Sequence, residues 1–185
     1  MKGKSLLIVL GIIVILAVSF GGSYNKLAIL DENVDGAWAQ VDNRLKERAD
    51  LIPNLLETVK GYASHEKEII EDISEARTRY SNASTPQEFA EADAEFTNAV
   101  NSLNIIVENY PDLKANQNFA DFQTELTGTE RRISTERMRY NDSVKEFNST
   151  IRRFPTNLIA GIFNFEKKQY FEINQEDAEV PKVEF

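Results

Sequence analysis

The sequence predicts an all-α chain: an apolar N-terminal helix followed by four further helices, the first and fourth of them long. Three observations predict it. The first 26 residues hold an uncharged stretch about as long as a bilayer is thick. Beyond it, apolar residues recur in steps of three and four instead of alternating. Prolines and glycines fall where those stripes break.

Lys2 and Lys4 precede an apolar run from Leu6 to Phe20, and the next charge is Lys26. The 21 uncharged residues between Lys4 and Lys26 would span roughly 31 Å as a helix, matching a hydrocarbon core of about 30 Å. Leu6, Leu7, Ile8, Val9, Leu10, Ile12, Ile13, Val14, Ile15, Leu16, Val18 and Phe20 are the expected anchor residues. Ala17-x-Ser19 offers small residues for a cleaved signal peptide. The amphipathic pattern begins almost at once, at Tyr24 and Leu27, so an uncleaved anchor running straight into the first soluble helix is simpler. Two basic residues before the stretch and one after favour a cytoplasmic N-terminus and an external domain.

The first soluble helix is expected from Tyr24 to about Lys60, striped by Leu27, Leu30, Val34, Ala37/Trp38, Val41, Leu45, Ile52, Leu55 and Val59, interrupted at Pro53 and stopped at Gly61. The second, from Ser64 to about Ser81, aligns Ile69, Ile70, Ile73, Ala76 and Tyr80. Thr85-Pro86-Gln87-Glu88 is a capping box that starts the third. Phe89, Phe96, Val100, Leu103, Ile106/Val107 and Tyr110 form its stripe, and Pro111 ends it. The fourth, from about Gln117 to Arg153, carries Phe119, Phe122, Leu126, Ile133, Tyr140, Val144, Phe147 and Ile151 close to a seven-residue repeat. After Pro155 the chain turns apolar from Asn157 to Phe165, then irregular. This divides the chain into an anchor (1–25), a helical bundle (26–154) and a C-terminal apolar segment with a tail (155–185).

Without Lys2, Lys4 and Lys26, 18 Lys and Arg face 30 Asp and Glu, a net charge of −12. Phosphate binding needs clustered cations, so nucleic acid is not an expected partner. The same charge disfavours broad adhesion to anionic lipid. The absence of cysteine excludes thiol catalysis, thiolate metal sites and disulfides, and leaves the compartment open.

No pattern rises to a reaction. His65 is the only histidine and has Tyr62, not a carboxylate, three residues before it, so the Glu-x-x-His pairs of di-metal bundles are missing. Glu68, Glu71, Asp72 and Glu75 share a helix side and read as a solvated acidic face before they read as cation ligands. A Ser-His pair would require His65, with no surrounding motif in support. No catalytic residue, metal or cofactor is expected. Arg48 and Asp50 beside Pro53-Asn54 read first as polar groups that satisfy backbone freed by the proline, and second as a partner-binding notch. Trp38 is either a bundle residue or an interface anchor.

Tyr24-Asn25-Lys26-Leu27, Ala37-Trp38-Ala39-Gln40-Val41 and the run from Arg48 to Tyr62 (RADLIPNLLETVKGY) resemble the LemA family of bacterial membrane proteins. So do Leu126-Thr127-Gly128-Thr129-Glu130, Arg139-Tyr140-Asn141-Asp142 and Phe154-Pro155-Thr156-Asn157-Leu158-Ile159-Ala160-Gly161. The resemblance is ordered and covers Tyr24 to Phe185. It implies an N-terminal transmembrane segment and a bundle of up-and-down type, and it implies no reaction. The fold expected is therefore all-α: an N-terminal transmembrane helix followed by an antiparallel up-and-down four-helix bundle with long first and fourth helices.

The function expected is a non-enzymatic scaffold in the bacterial cell membrane, single-pass, that self-associates laterally and organises the membrane or its proteins. The alternative is a regulatory adaptor docking on a membrane enzyme such as a protease. Two surfaces are expected to matter. Helices one and four, at ~37 residues, would each run roughly 55 Å, and the middle pair only roughly 27–38 Å. That mismatch leaves a membrane-proximal two-helix stalk whose Leu27, Leu30, Val34 and Trp38 would be wet and available to another copy. The apolar segment with Leu158, Ile159, Ile162, Phe163 and Phe165, flanked by Arg152, Arg153, Lys167 and Lys168, suits the lipid interface and is too short to span. The alternative is that the segment folds back onto the bundle and that the tail covers the stalk surface.

Overall fold

Pro53 explains the first break in the helical path. A proline ring collides with the carbonyl four residues earlier and offers no N–H. Four residues before Pro53 stands Ala49, the last residue of helix α1 (Lys2–Ala49). The structure, a computed structural model, describes residues 2–172, apart from the side chains of residues 2–6, 8, 9, 12 and 15–17. Helix α2 (Ile52–Tyr62) resumes with Pro53 in its first turn, where a missing N–H costs nothing. The helix expected from Tyr24 to Lys60 is thus two helices, and the first of them continues the apolar N-terminal stretch without a break. Gly61 does not act as the expected stop. It lies within α2, and no described glycine adopts positive φ.

Helix α3 (Lys67–Asn82) buries Ile69, Ile73, Ala76 and Tyr80, steps of four, three and four that define one face. It starts three residues later than expected. Helix α4 (Pro86–Val107) starts where the capping box places it. Thr85 Oγ1 accepts from the Glu88 N–H at 3.2 Å, and Glu88 Oε2 accepts from the Thr85 N–H at 3.1 Å. The Ser84 N–H and hydroxyl donate to the same carboxylate, and these bonds hold Glu88 below the usual carboxylate range. Past Pro111, which ends the α4 path as expected, comes a single turn, α5 (Pro111–Lys114), then α6 (Gln117–Thr150) and α7 (Thr156–Ile162). Every regular element among the described residues is helical.

The chain divides into two units, with α1 and α6 each contributing to both. One unit comprises the chain up to Trp38 together with Arg139–Lys168; the other comprises Ala39–Met138 and the chain from Gln169 onward. In the second unit α3 packs on α4 and on α2, and α5 closes against α2 and α4. Its core is aliphatic and aromatic: Leu45, Ile52, Val59, Ile73, Phe96, Leu103, Leu113 and Ile133 are all fully buried. In the first unit Leu27, Ile159 and Ala160 form a buried cluster with Ile151 and Phe165 packed against it, and Leu30, Val34, Val144 and Phe147 are buried as well.

Candidate functional site

Two arrangements stand out, one in each unit. In the second unit, Arg48 occupies a position that the α1 stripe reserves for an apolar side chain, three residues past Leu45. It is 2% exposed. Its Nη1 donates to Asp93 Oδ1 at 2.6 Å and its Nη2 to Thr97 Oγ1 at 3.0 Å. The guanidinium lies 4.9 Å over the Phe96 ring. Glu130 Oε2 sits 2.8 Å from the same Nη1, an ion-pair contact off the hydrogen-bond direction, and Arg48 Nε has no hydrogen-bond partner. The Tyr80 hydroxyl donates to Asp93. Burial pushes the Tyr80 hydroxyl well above its ordinary value, and the neighbouring Asp93 charge adds to that. Burial works against the Arg48 cation, but Asp93 and its neighbours outweigh it and hold the guanidinium above its usual range.

This centre corrects the expectation for Arg48. Its partners are side chains on α4 and α6, not backbone groups freed by Pro53, while Asp50 is exposed and stands apart from it. The sequence carried a signal for the pairing. Asp93 lies between Phe89 and Phe96 on the apolar stripe of α4, and Arg48 between Leu45 and Ile52 on that of α1. Opposite charges at two core positions satisfy the rule that buried charges are paired. Chemically the arrangement is a lock: Arg48, Asp93, Tyr80 and Thr97 are tied to one another by side-chain hydrogen bonds.

The same unit also carries a surface groove of about 600 Å³ between α2 and the start of α6. Glu57, Asp121 and Glu125 line it with Asn54, Tyr62 and Phe122, and no basic side chain does. Asn116 Nδ2 donates to the Tyr62 hydroxyl across it at 3.0 Å. The acidic side chains of α3 (Glu68, Glu71, Asp72, Glu75) and His65 are exposed, and no metal-holding cluster exists among the described residues.

In the first unit the structure separates the residues expected to act together. Leu27, Leu30 and Val34 are 0%, 6% and 2% exposed. The premise of a wet stalk face is therefore corrected: all three are buried within the fold, and the chain after Pro155 folds back onto Leu27. Ile159 and Ala160 of α7 pack on Leu27. Phe165 stands 6.3 Å from Phe147. Asn148 pairs with the Lys168 backbone in both directions at 2.9 Å, and Lys168 Nζ reaches Asp31 at 2.8 Å and Asp35 at 3.2 Å. Burial opposes the Lys168 charge, but the two carboxylates prevail and raise it above its ordinary value. Trp38 is half-buried, its ring 5.3 Å from Tyr140.

Of the expected anchor residues, Leu7, Leu10, Ile13, Val14, Val18 and Phe20 are all exposed, between 42% and 70%. The side chains of Leu6, Ile8, Val9, Ile12, Ile15 and Leu16 lie outside the described residues. Among the described residues no helix is long and apolar enough to cross a membrane. Of the expected interface segment, Ile159 is buried and Phe165 partly so, whereas Leu158, Ile162 and Phe163 face outward at 57%, 63% and 47% exposure.

The family model described as the LemA family matches residues 37–185. The chain is 26% identical over 166 residues to a protein named LemA from Metamycoplasma hominis, covering 88% of this chain and 76% of that protein. It is 24% identical over 175 residues to magnetosome protein MamQ 2 of Paramagnetospirillum magneticum, covering 80% of this chain and 64% of the relative. Over 80 residues it is 34% identical to magnetosome protein MamQ of Magnetospirillum gryphiswaldense, 43% of this chain and 29% of that one. The chain thus spans less than two thirds of the length of these magnetosome relatives.

Proposed function

We propose, from the premise that this chain belongs to the LemA family, that it is a non-enzymatic scaffold anchored in a bacterial cell membrane through the N-terminal part of α1. In this reading the helical domain is an antiparallel up-and-down bundle, and it lies on the outer side because Lys2 and Lys4 precede the anchor. One observation carries the anchor. Six large apolar side chains of a 21-residue uncharged stretch are between 42% and 70% exposed. Exposed apolar surface on that scale marks a membrane or partner contact.

Lateral self-association remains part of the reading, through a different face. Val18, Gly22, Ile29 and Gly36 follow one another at steps of four and seven along α1, and all are exposed. A Cβ added at Gly22 or Gly36 would meet nothing within 4 Å. Small residues on such a seam let helices approach closely. In membranes, a cysteine at Ile29 is expected to cross-link between chains and one at the buried Leu30 is not. Cross-linking at neither, with an anchor-region cysteine linking normally, refutes self-association through α1. Protease added to cells stripped of their wall tests orientation, since an external domain is digested without lysis.

The acidic groove between α2 and α6 favours the second reading, an adaptor that docks on a membrane enzyme. Stoichiometric co-purification of a foreign subunit in mild detergent, lost on Glu57→Lys with Glu125→Lys, distinguishes that role from a homo-oligomeric scaffold.

A further inference from the structure

Helix α7 has two faces with different fates. Ile159 and Ala160 pack inward against Leu27. Leu158 and Ile162, four residues apart, form an outward stripe at 57% and 63% exposure, and Phe154, just before the helix, is 80% exposed. Apolar residues on a seven-residue helix have little reason to face water. The ring contacts show where the stripe sits. Phe163, the residue after α7, lies 4.6 Å from Tyr24 and 6.2 Å from Phe20. Phe165 lies 6.0 Å from Tyr24. Phe20 and Tyr24 bracket the end of the uncharged stretch of α1. Arg152 and Arg153 precede the stripe, Lys167 follows it, and all three are exposed.

We infer that α7 is an interfacial foot, which lies in the headgroup layer of an anionic bilayer with Phe154, Leu158 and Ile162 dipped into the acyl boundary. This rests on the reading of α1 as the anchor and extends it. The patch is continuous with the exposed apolar side chains of α1, so the surface that covers one covers the other. Seven residues are far too few to span, and a one-sided apolar face flanked by Arg and Lys is the form that binds in the plane of the interface. Tyr24 and the phenylalanines around it are ring residues at the depth where such side chains collect. The core contact between Leu27 and Ile159 ties the foot to the anchor, so that the foot fixes the depth and tilt of the N-terminal part of α1.

The natural chain has no cysteine, so single cysteines can be placed in the full-length protein. Val14→Cys probes the anchor, Leu158→Cys and Ile162→Cys the foot, and Ser64→Cys, exposed in the other unit, serves as the water reference. Each carries an environment-sensitive fluorophore, and the protein is reconstituted in vesicles of phosphatidylcholine and phosphatidylglycerol. A nitroxide high on the acyl chain is expected to quench the Leu158 and Ile162 labels several-fold more than the Ser64 label, and aqueous iodide to quench them several-fold less. If lipid quenches Val14 while Leu158 and Ile162 behave like Ser64, the foot is overturned and the anchor stands. If Leu158 and Ile162 are shielded from iodide without quenching by lipid, a second copy covers the stripe, which also overturns it. If lipid fails to quench Val14, the anchor reading fails and the foot falls with it.

Discussion

Removing Arg48 from the buried ionic centre tests whether that centre locks the second unit. Arg48→Met keeps much of the side-chain volume and deletes the charge. Asp93, 2% exposed, then retains the Tyr80 hydroxyl as its hydrogen-bond donor and only the longer-range charge of Arg137. Breaking a buried pair from one side costs about 3–5 kcal/mol, because a desolvated charge is left without its partner. At a urea sensitivity of about 1–3 kcal/mol per molar for a small unit, the unfolding midpoint should fall by roughly 2 M. Glu130→Gln removes a partner that is 46% exposed, and water screens that contact, so its cost should stay within about 1 kcal/mol. The double variant Arg48→Met/Asp93→Leu removes both members of the fully buried pair and leaves only the partly exposed Glu130 without its cation. It should recover most of the loss, with a coupling of about 0.5–3 kcal/mol or more between the two sites. The assay is urea unfolding of the full chain in detergent, followed by helical circular dichroism for each variant. A loss below about 1 kcal/mol for Arg48→Met, or losses that add in the double variant, would refute the reasoning.

Gly61→Ala should stabilise the second unit by about 0.5–1 kcal/mol, since the residue is helical and an added Cβ meets nothing within 4 Å; thermal unfolding that shows a loss would contradict this. Both units should weaken at alkaline pH. Lys168 holds its proton more tightly in the fold than in the unfolded chain, so its contribution is complete below about pH 10.4 and declines as pH rises through its raised folded value. Tyr80 also stays protonated in the fold after its unfolded counterpart ionises near about pH 10, so stability falls above that point. Unfolding measured from pH 7 to 11 should show a shallower decline in Tyr80→Phe and in Lys168→Met than in the natural chain; unchanged slopes in both would refute the assignment.

Local chemistry by itself determined two of the sharpest helix boundaries in this protein, although Gly61 did not stop α2. The Thr85 box starts α4 through hydrogen bonds within four residues, and Pro53 stops α1 through a clash with a carbonyl four residues back. These are short-range effects, and a single sequence displays them fully. The class of each stripe residue was legible for the same reason, and so were the length and neutrality of the N-terminal stretch. Even Arg48 and Asp93 were visible as charges standing on apolar stripes, a pattern that announces pairing without naming the partner. What covers Leu27, Leu30 and Val34 was decided only by the tertiary structure. Ile159 must come back along more than a hundred residues of chain to reach Leu27, and no periodicity records that return. The apolar segment after Pro155 was legible as amphipathic material, but its division was not: Ile159 and Ala160 went to the core, and Phe154, Leu158 and Ile162 were left outside. That division depends on which face of a short helix meets α1, and contacts between distant parts of the chain set it.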